Sequence, residues 1–295
     1  MRTFAFGCSL TQYFYPTWAD IILHNHKSEG ITVAENWGRS GAGNQYIATR
    51  LWEANTEHKF TKEDTILLQW SSFFREDRYH MGAGWHTPGN FSTATIVDNP
   101  FVLNNYRYES VWQWADLMWA TMRDCALISS THKALEQIGC KVISTGFRNY
   151  IEGWEEQSPT FNTKNKYLEM EDIRAVLEKY KDDIKTTCPP ILNALNFGTD
   201  DEFFATRPTS VPSPNPEHKH MHQPEVHPLT HEAADFVQNY VCKLSNETLE
   251  FVDKWKETLA VDDMVVLFND LSPLKENVES IAEFVKVNPV AACSK

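Results

Sequence analysis

The chain has 295 residues, of which 42% are hydrophobic and 23% charged, so it is long and apolar enough to bury a full core. Its formal net charge of −13 disfavours nucleic acid and anionic lipid as main partners, because both carry the same sign of charge. No apolar run approaches the roughly 20 residues that cross a bilayer, which predicts a protein without a membrane span.

Short apolar runs alternate with helical patterns in the first half of the chain. The runs are nearly continuous, which is typical of strands covered on both faces, and they lie at Thr3–Cys8, Ile31–Ala34, Asp64–Trp70 and Cys140–Ser144. Apolar residues at helical spacing predict helices over Pro16–Asn25, Asn44–Ala54 and Val111–Gln137. This alternation predicts a central parallel sheet with helices on both faces, a three-layer α/β/α sandwich.

Two segments interrupt this alternation. Residues 73–110 form a long connection rich in glycine and proline, and residues 189–228 hold eight of the fourteen prolines, which excludes regular helix and central strand there. Helical patterns follow at Glu169–Lys185, at Leu229–Leu244 and in residues 246–295, where the extension could be a cap, a packing arm or an oligomer contact. We expect one domain over residues 1–245, with loop insertions at 73–110 and 189–224, and a helical extension over 246–295.

The amino terminus and the cysteines predict the compartment. The segment MRTFAFGCSL lacks the longer apolar region and the small-residue cleavage site of a signal peptide. The six cysteines are scattered and none forms a C-x-x-C pair, so without a secretion signal they are expected to be reduced thiols. Both observations predict a cytoplasmic protein.

A serine follows the first predicted strand, in the segment FGCSLT of residues 6–11. Ligands of doubly wound sheets bind beyond the carboxyl ends of the strands, so Ser9 is well placed as a nucleophile. The alternative is that Ser9 only caps a helix.

A glycine-rich segment, NWGRSGAGN at residues 36–44, follows the second predicted strand. Its three glycines let backbone N–H groups approach a ligand closely. A phosphate-binding loop is the rival interpretation, but neither the G-x-G-x-x-G pattern nor the Walker pattern fits.

A histidine precedes the helix predicted at residues 229–244. His227 is followed by Pro228, which favours a helix start, and histidine is the usual general base near neutral pH. Glu225 lies two residues earlier, on the same face of an extended chain, and could orient the imidazole.

In this order the segments resemble the sequence blocks of the SGNH (GDSL-type) hydrolases. FGCSLT is similar to the G-D-S-L block, with Cys8 in place of Asp, NWGRSGAGN to the glycine block, and VHPLTH to the closing D-x-x-H-P block. The G-x-N-D block falls on residues 70–73, where Trp70 stands for Gly and Ser72 for Asn. The pattern is most similar to divergent members from tailed phages, which would make the protein virion-associated.

The resemblance implies a flavodoxin-like α/β/α fold and an ester hydrolase, either a carboxylesterase or a carbohydrate O-deacetylase, that needs no cofactor. Ser9 would be the nucleophile, His227 the base and Glu225 the acid, since the position of the family's acid holds Pro224.

The same resemblance places the oxyanion donors at the N–H groups of Ser9 and Gly41, with the hydroxyl of Ser72 replacing the family's asparagine. Because loss of one such donor costs about 10²–10³ in rate, a catalytically weak binding or structural module, such as a virion component, is the alternative.

One cationic side chain and one group of aromatic side chains after the third strand predict substrate binding. Arg75 could hold an anionic or polyhydroxyl substrate, or pair with neighbouring acids. Trp85, with Tyr79, His86 and Phe91, could form a stacking platform for a sugar ring, or pin its loop to the body of the protein.

A histidine cluster is the basis of a third functional hypothesis, a metal-dependent hydrolase. Five histidines fall within fourteen residues, at His218, His220, His222, His227 and His231, and alternating histidines can bind zinc. We favour a solvated proline-rich loop and expect no metal.

Overall fold

The computed structural model describes residues 2–73, 75–80, 84–86, 117–149, 170–196, 207, 209–212, 222–224 and 227–260. The strands are β1 (Arg2–Phe6), β2 (Val33–Asn36), β3 (Asp64–Trp70), β4 (Arg78–His80), β5 (Gly84–His86), β6 (Lys141–Gly146), β7 (Thr209–Pro212) and β8 (His222–Pro224). The helices are α1 (Trp18–Ser28), α2 (Asn44–His58), α3 (Leu117–Ile138), α4 (Met170–Tyr180), α5 (Ile191–Ala194), α6 (Thr230–Tyr240) and α7 (Asn246–Thr258).

Four of the strands form a parallel sheet in the order β2-β1-β3-β6. Helices α1, α6 and α7 pack together on one face, and α2, α3 and α4 pack together on the other. The predicted three-layer α/β/α sandwich is therefore confirmed.

The central strands are covered on both faces, as their continuous apolar sequences predict. Every residue of β3 is buried, and Phe4 and Phe6 of β1 have no exposed surface. Because both faces of the sheet are covered, neither face needs polar side chains. The sequences of these strands are therefore unbroken apolar runs.

The start of α1 is fixed by a buried polar cluster. The carboxylate of Asp20 accepts hydrogen bonds from the N–H and hydroxyl of Thr17, both 2.9 Å, and from the amide of Asn36 at 2.8 Å. The Asn36 amide also donates to the carbonyl of Thr11 at 2.7 Å. This cluster ties the end of β2 to the turn that follows β1.

The structure differs from the sequence prediction in several segments. Strand β2 lies at Val33–Asn36 instead of Ile31–Ala34, and α6 ends at Tyr240 instead of Leu244. The helix predicted over Glu169–Lys185 ends at Tyr180, because the segment after it turns toward β6, where the N–H of Cys188 donates to Ser144 at 2.8 Å. The insertion at 189–224 contains the one-turn helix α5 and the pair β7–β8, and the insertion at 73–110 contains the hairpin β4–β5. None of the strands in the two insertions joins the central sheet.

Two further expectations concern the described residues, and a third extends beyond them. The cysteines at positions 8, 125, 140, 188 and 242 are free thiols. Among the helices that the structure describes, none is long and apolar enough to cross a membrane. The division into a domain and a helical extension stays a prediction, since residues 261–295 lie outside the described chain.

Candidate active site

Two of the loops that carry predicted site residues meet at the carboxyl edge of the sheet. Strand β1 lies between β2 and β3, with Ala5 opposite Asn36 and Phe6 opposite Leu68. Beyond β2, the N–H of Arg39 donates to the carbonyl of Gly7 at 3.0 Å. The glycine-rich segment therefore runs alongside the turn that holds Ser9.

The turn at Ser9 is shaped by a buried glutamine of β3. The Gln69 side-chain oxygen accepts hydrogen bonds from the N–H of Cys8 at 3.0 Å, from its thiol at 3.1 Å and from the hydroxyl of Thr11 at 3.3 Å. A Cβ at Gly7 would lie 2.0 Å from the Thr11 hydroxyl, so only glycine fits there. The turn is fixed from two sides, and the position of Ser9 is fixed with it.

Ser9 and His227 lie within hydrogen-bond distance. The Oγ of Ser9 and the Nε2 of His227 are 2.9 Å apart, and Ser9 is only 5% exposed. The ring of Tyr13 stacks on the imidazole, with centroids 4.0 Å apart and planes inclined by 27°. Sequence reasoning did not include Tyr13, although it lies only four residues after Ser9.

The backbone of His227 is held by a clamp, which we define as Arg207 and Glu232. The guanidinium of Arg207 donates to the His227 carbonyl at 2.6 Å and to both carboxylate oxygens of Glu232, at 2.8 and 3.1 Å. Glu232 also accepts from the N–H of Leu229 at 2.6 Å, which caps the start of α6. The hydroxyl of Tyr15 donates to the same His227 carbonyl at 3.3 Å.

The clamp was not predicted from the sequence. A glutamate three residues after a helix start is a recognisable capping signal for Glu232. No sequence signal marks Arg207, which lies in the proline-rich insertion. Glu225, the predicted acid, lies outside the described residues, so its relation to His227 stays a prediction.

The glycine-rich loop and the end of β3 are joined by Asn44, the first residue of α2. Its side-chain oxygen accepts from the N–H of Ser71 at 2.8 Å, and its amide donates to the Ser71 carbonyl at 3.1 Å and to Asp124 at 2.8 Å. Asn44 is completely buried. It therefore links the loop of Gly41 to the segment of Ser72, two of the predicted oxyanion positions.

The predicted oxyanion donors have different surroundings. Within the part of the chain that the structure describes, the backbone N–H groups of Ser9 and Gly41 have no hydrogen-bond acceptor. Gly41 has a φ of 79°, a conformation that favours glycine. Ser72 is buried, with 5% of its surface exposed.

A buried carboxylate holds the first turn of α2 behind the glycine-rich loop. Asp77 accepts hydrogen bonds from the N–H groups of Gly43 and Tyr46, both 2.8 Å, at the positive end of the helix. Burial raises the pKa of Asp77 to about 6, against these hydrogen bonds, which lower it. The loop position thus depends on a buried carboxylate whose pKa lies above its usual range.

The second buried acid at this place is Asp124, which orients Asn44. Burial raises the pKa of Asp124 to about 7, although Arg123, which donates to it at 2.7 Å, acts in the opposite direction. Arg123 also pairs with Glu76 at 2.6 Å. These ion pairs are buried beside the loop and support its geometry.

The two predicted substrate-binding residues are placed differently. Arg75 is 8% exposed, donates to the Ala42 carbonyl at 3.0 Å and lies over the ring of Phe147 at 5.7 Å. Trp85 is half-buried and makes edge contacts with Tyr46 and Tyr79, both at 5.6 Å. Tyr79 is exposed, whereas Phe91 and the side chain of His86 lie outside the described residues. Arg75 is thus packed into the glycine-rich loop, and Trp85 forms part of an aromatic group.

A small pocket opens beside Ser9 and His227. Its walls are mainly aromatic and aliphatic, formed by Leu10, Tyr13, Tyr15, Trp18, Ile191, Pro228 and Ala233. The pocket has room for only about one water molecule.

The predicted histidine cluster is only partly described. His218 and His220 lie outside the described residues, and so does the side chain of His222. Among the described residues, no group of three or more His, Cys, Asp or Glu side chains could hold a metal ion. His231 lies on α6, where burial lowers its pKa.

Comparisons with known proteins identify no family. No protein-family model matches the chain, and no curated protein matches it in sequence. Similar solved structures include TesA, with 12% identity, 85% of this chain and 99% of that chain covered, and a TM-score of 0.40. They also include protein YxiM of Bacillus subtilis, with 12% identity, 81% and 55% covered, and a TM-score of 0.39. Similarities this distant carry no functional conclusion, and the resemblance to phage proteins stays a prediction.

Proposed function

We propose that the protein is a serine hydrolase of the SGNH type that cleaves a carboxylic ester. The observation that carries this proposal is the distance of 2.9 Å between the Oγ of Ser9 and the Nε2 of His227. A serine in contact with an imidazole, at the carboxyl edge of a parallel sheet, is the arrangement that nucleophilic catalysis requires.

The chemistry proceeds by acyl transfer. Nε2 of His227 takes the hydroxyl proton of Ser9 as Oγ forms a bond to the ester carbonyl carbon. The carbonyl oxygen becomes an oxyanion, which the N–H groups of Ser9 and Gly41 stabilise. The intermediate collapses, the bond to the alcohol oxygen breaks, and the imidazolium returns the proton to the leaving alcohol. Water then attacks the acyl-serine by the same steps and releases the acid.

Glu225 is proposed as the acid that orients His227 and stabilises its charged form. The Arg207–Glu232 clamp supports this role indirectly, because it fixes the backbone of His227 without using the imidazole. Ser72 is proposed as the side-chain donor to the oxyanion, and Trp85 as an aromatic contact for the alcohol portion of the ester.

A short acyl group suits the pocket beside the serine. The pocket has room for only about one water molecule and its walls are largely apolar, which disfavours a long acyl chain at this place. We therefore propose a carboxylesterase or a carbohydrate O-deacetylase. The burial of Arg75 argues that this residue supports the glycine-rich loop instead of binding the substrate.

A second candidate is a binding module with weak catalysis. It is favoured by the serine that stands at position 72, where the resembled family has asparagine. A shorter hydroxyl reaches less far than an amide, so the oxyanion would lose part of its stabilisation.

The proposal is tested by comparing hydrolysis of para-nitrophenyl acetate with that of the decanoate. The acetate should be cleaved faster, and Ser9→Ala should abolish turnover. The matched control is Ser130→Ala, which removes an exposed hydroxyl on α3 that, among the described residues, donates to the Leu127 carbonyl alone. Turnover by Ser9→Ala at the wild-type rate would remove Ser9 from the mechanism.

Dialysis against EDTA separates the serine mechanism from the metal hypothesis. Activity should survive, because no step of the proposed mechanism uses a metal. Loss of activity that zinc restores would transfer the reaction to the histidines of residues 218–231.

A further inference from the structure

A second, larger cavity lies at the same edge of the sheet, beyond the end of β6. It has a volume of about 510 Å³, within the range of small-molecule sites. One wall is the end of β6 and the residues after it, Gly146, Arg148 and Asn149, and the other is residues 181–190. We call this cavity the basic cleft.

The second wall is fastened to β6 by hydrogen bonds. The N–H of Thr187 donates to the Ser144 hydroxyl at 3.0 Å, and the N–H of Ser144 donates to the Thr187 hydroxyl at 2.7 Å. The hydroxyl of Thr145 donates to the Pro189 carbonyl at 2.7 Å. The cleft is therefore bounded by fixed backbone on both sides, as a preformed site requires.

The charge of the cleft is opposite to that of the whole molecule. Arg148, Lys181 and Lys185 line it, against one carboxylate, Asp182, in a chain whose net charge is −13. Lys181 also pairs with Glu178 on α4. Lys185 is exposed and pairs with no carboxylate among the residues that the structure describes. A fixed concave surface with clustered cations attracts an anionic group.

The cleft is adjacent to the pocket of Ser9. Pro190 lines the cleft and Ile191, the next residue, lines the pocket that contains Ser9 and His227. Strand β6 is two positions from β1 in the sheet, a separation of about 10 Å at the usual strand spacing. A substrate that occupied both places would have to span at least this distance, which is about the size of a saccharide.

We propose that the basic cleft is an anion-binding subsite that takes a carboxylate or phosphate group on the alcohol portion of the ester. The side-chain amide of Asn149 is a further polar group at its walls, whereas the hydroxyl of Thr186 donates to the Cys188 carbonyl at 2.7 Å. The connection to an ester rests on the proposed hydrolase function, whereas the binding of the anion does not. The preferred substrate would be the ester of a negatively charged sugar or of a phosphorylated alcohol.

Binding of the anion is measured directly, without catalysis. Isothermal titration calorimetry of the full chain with glucuronate and with inorganic phosphate distinguishes the two sources of negative charge. At least one should bind in the millimolar range or tighter. In a Lys181→Ala/Lys185→Ala double variant, that binding should weaken tenfold or more, and both side chains are exposed, so folding should be retained.

The matched control is Lys254→Ala/Lys256→Ala, which removes two exposed lysines of α7 that do not line the cleft. It should bind the anion as the wild type does. Equal weakening in the control and the double variant would show that only overall charge matters and would overturn the subsite. Absence of binding of both anions to the wild type would overturn it as well.

The second arm compares ester substrates. For O-acetylated glucuronate relative to O-acetylated glucose, the ratio of kcat/KM should fall at least fivefold in the double variant. An unchanged ratio would show that the cleft does not contribute to binding of the substrate. If neither ester is cleaved but the anion still binds through the lysines, the hydrolase proposal fails and the anion site stands.

Discussion

The Nε2 of His227 lies 2.9 Å from the Oγ of Ser9, although 218 residues separate the two in the chain. The proximity of these two side chains is supported by the packing of α1 against α6. The Thr230 hydroxyl, at the start of α6, donates to the Pro16 carbonyl at 3.1 Å, just before α1. The contact between the two side chains is thus a consequence of how one helical layer is assembled.

Asn44 should be required for catalysis although it is buried behind the loop. Asn44→Ala removes both hydrogen bonds to Ser71 and releases the Gly41 loop, so kcat/KM should fall by about 10- to 100-fold. Affinity for a boronic acid, which forms a tetrahedral adduct with the serine, should fall by a similar factor.

Asn55→Ala is the control for this change, because Asn55 lies near the other end of α2 and caps the N–H of Phe60. Both variants should lose about 1–3 kcal/mol of unfolding free energy, measured by denaturant titration. If Asn44→Ala lost stability but kept its boronate affinity, the residue would be structural only.

The clamp on His227 should affect the rate more than substrate binding. Arg207→Met removes the donor to the His227 carbonyl and leaves Glu232 without its cation, so kcat should fall about tenfold with little change in KM. Arg207→Lys should restore part of the loss. The comparison variant is Arg174→Met on α4, where the side chain is exposed and loss of charge should leave kcat unchanged.

Asp77 should make stability depend on pH. Its pKa is raised by burial from 3.8 to about 6, so the folded state prefers the protonated form, and this preference is lost as pH rises through about 6. A rise of this size in the pKa corresponds to about 3 kcal/mol of unfolding free energy. Relative to the wild type, Asp77→Asn should therefore gain up to about 3 kcal/mol between about pH 4 and about pH 8.

The measurement is urea unfolding of both proteins across that pH range. A difference between wild type and Asp77→Asn that does not change with pH would mean that Asp77 titrates in the folded protein as it does in the unfolded chain.

The pH dependence of the rate tests His227 and Glu225 together. The imidazole must be neutral to accept the Ser9 proton, so kcat/KM should rise with pH through one ionisation and then level off. Glu225→Gln removes a charge that would stabilise the imidazolium, so its midpoint should move to lower pH and its plateau should drop. Pro224→Ala should change neither. A midpoint unmoved in Glu225→Gln would exclude Glu225 as the acid.

The sheet could be predicted from the sequence because burial on both faces leaves an unbroken apolar run. The bounds of β3 agree with the predicted Asp64–Trp70. The helix predicted at Glu169–Lys185 was too long at its carboxyl end, because a charged helical pattern does not reveal that the chain is drawn onto β6 by the Cys188–Ser144 hydrogen bond. Local sequence pattern indicates where this helix begins, whereas tertiary contacts decide where it ends.

The site was predictable where its chemistry is local. Ser9 follows a strand and His227 precedes a helix, and each position can be read from its own neighbours. Asn44 and Arg207 could not be assigned in this way, because their partners, Ser71 and the His227 carbonyl, are distant in sequence. Such roles depend on contacts that only the folded chain defines.

Labelling with a fluorophosphonate, followed by mass spectrometry of the modified peptide, shows whether Ser9 is the nucleophile. We expect the label on Ser9 and none in Ser9→Ala. His227→Ala, which keeps the hydroxyl but loses the base, should react at least about 100-fold more slowly. A label on another residue, or equal labelling of Ser9 with and without His227, would contradict this assignment.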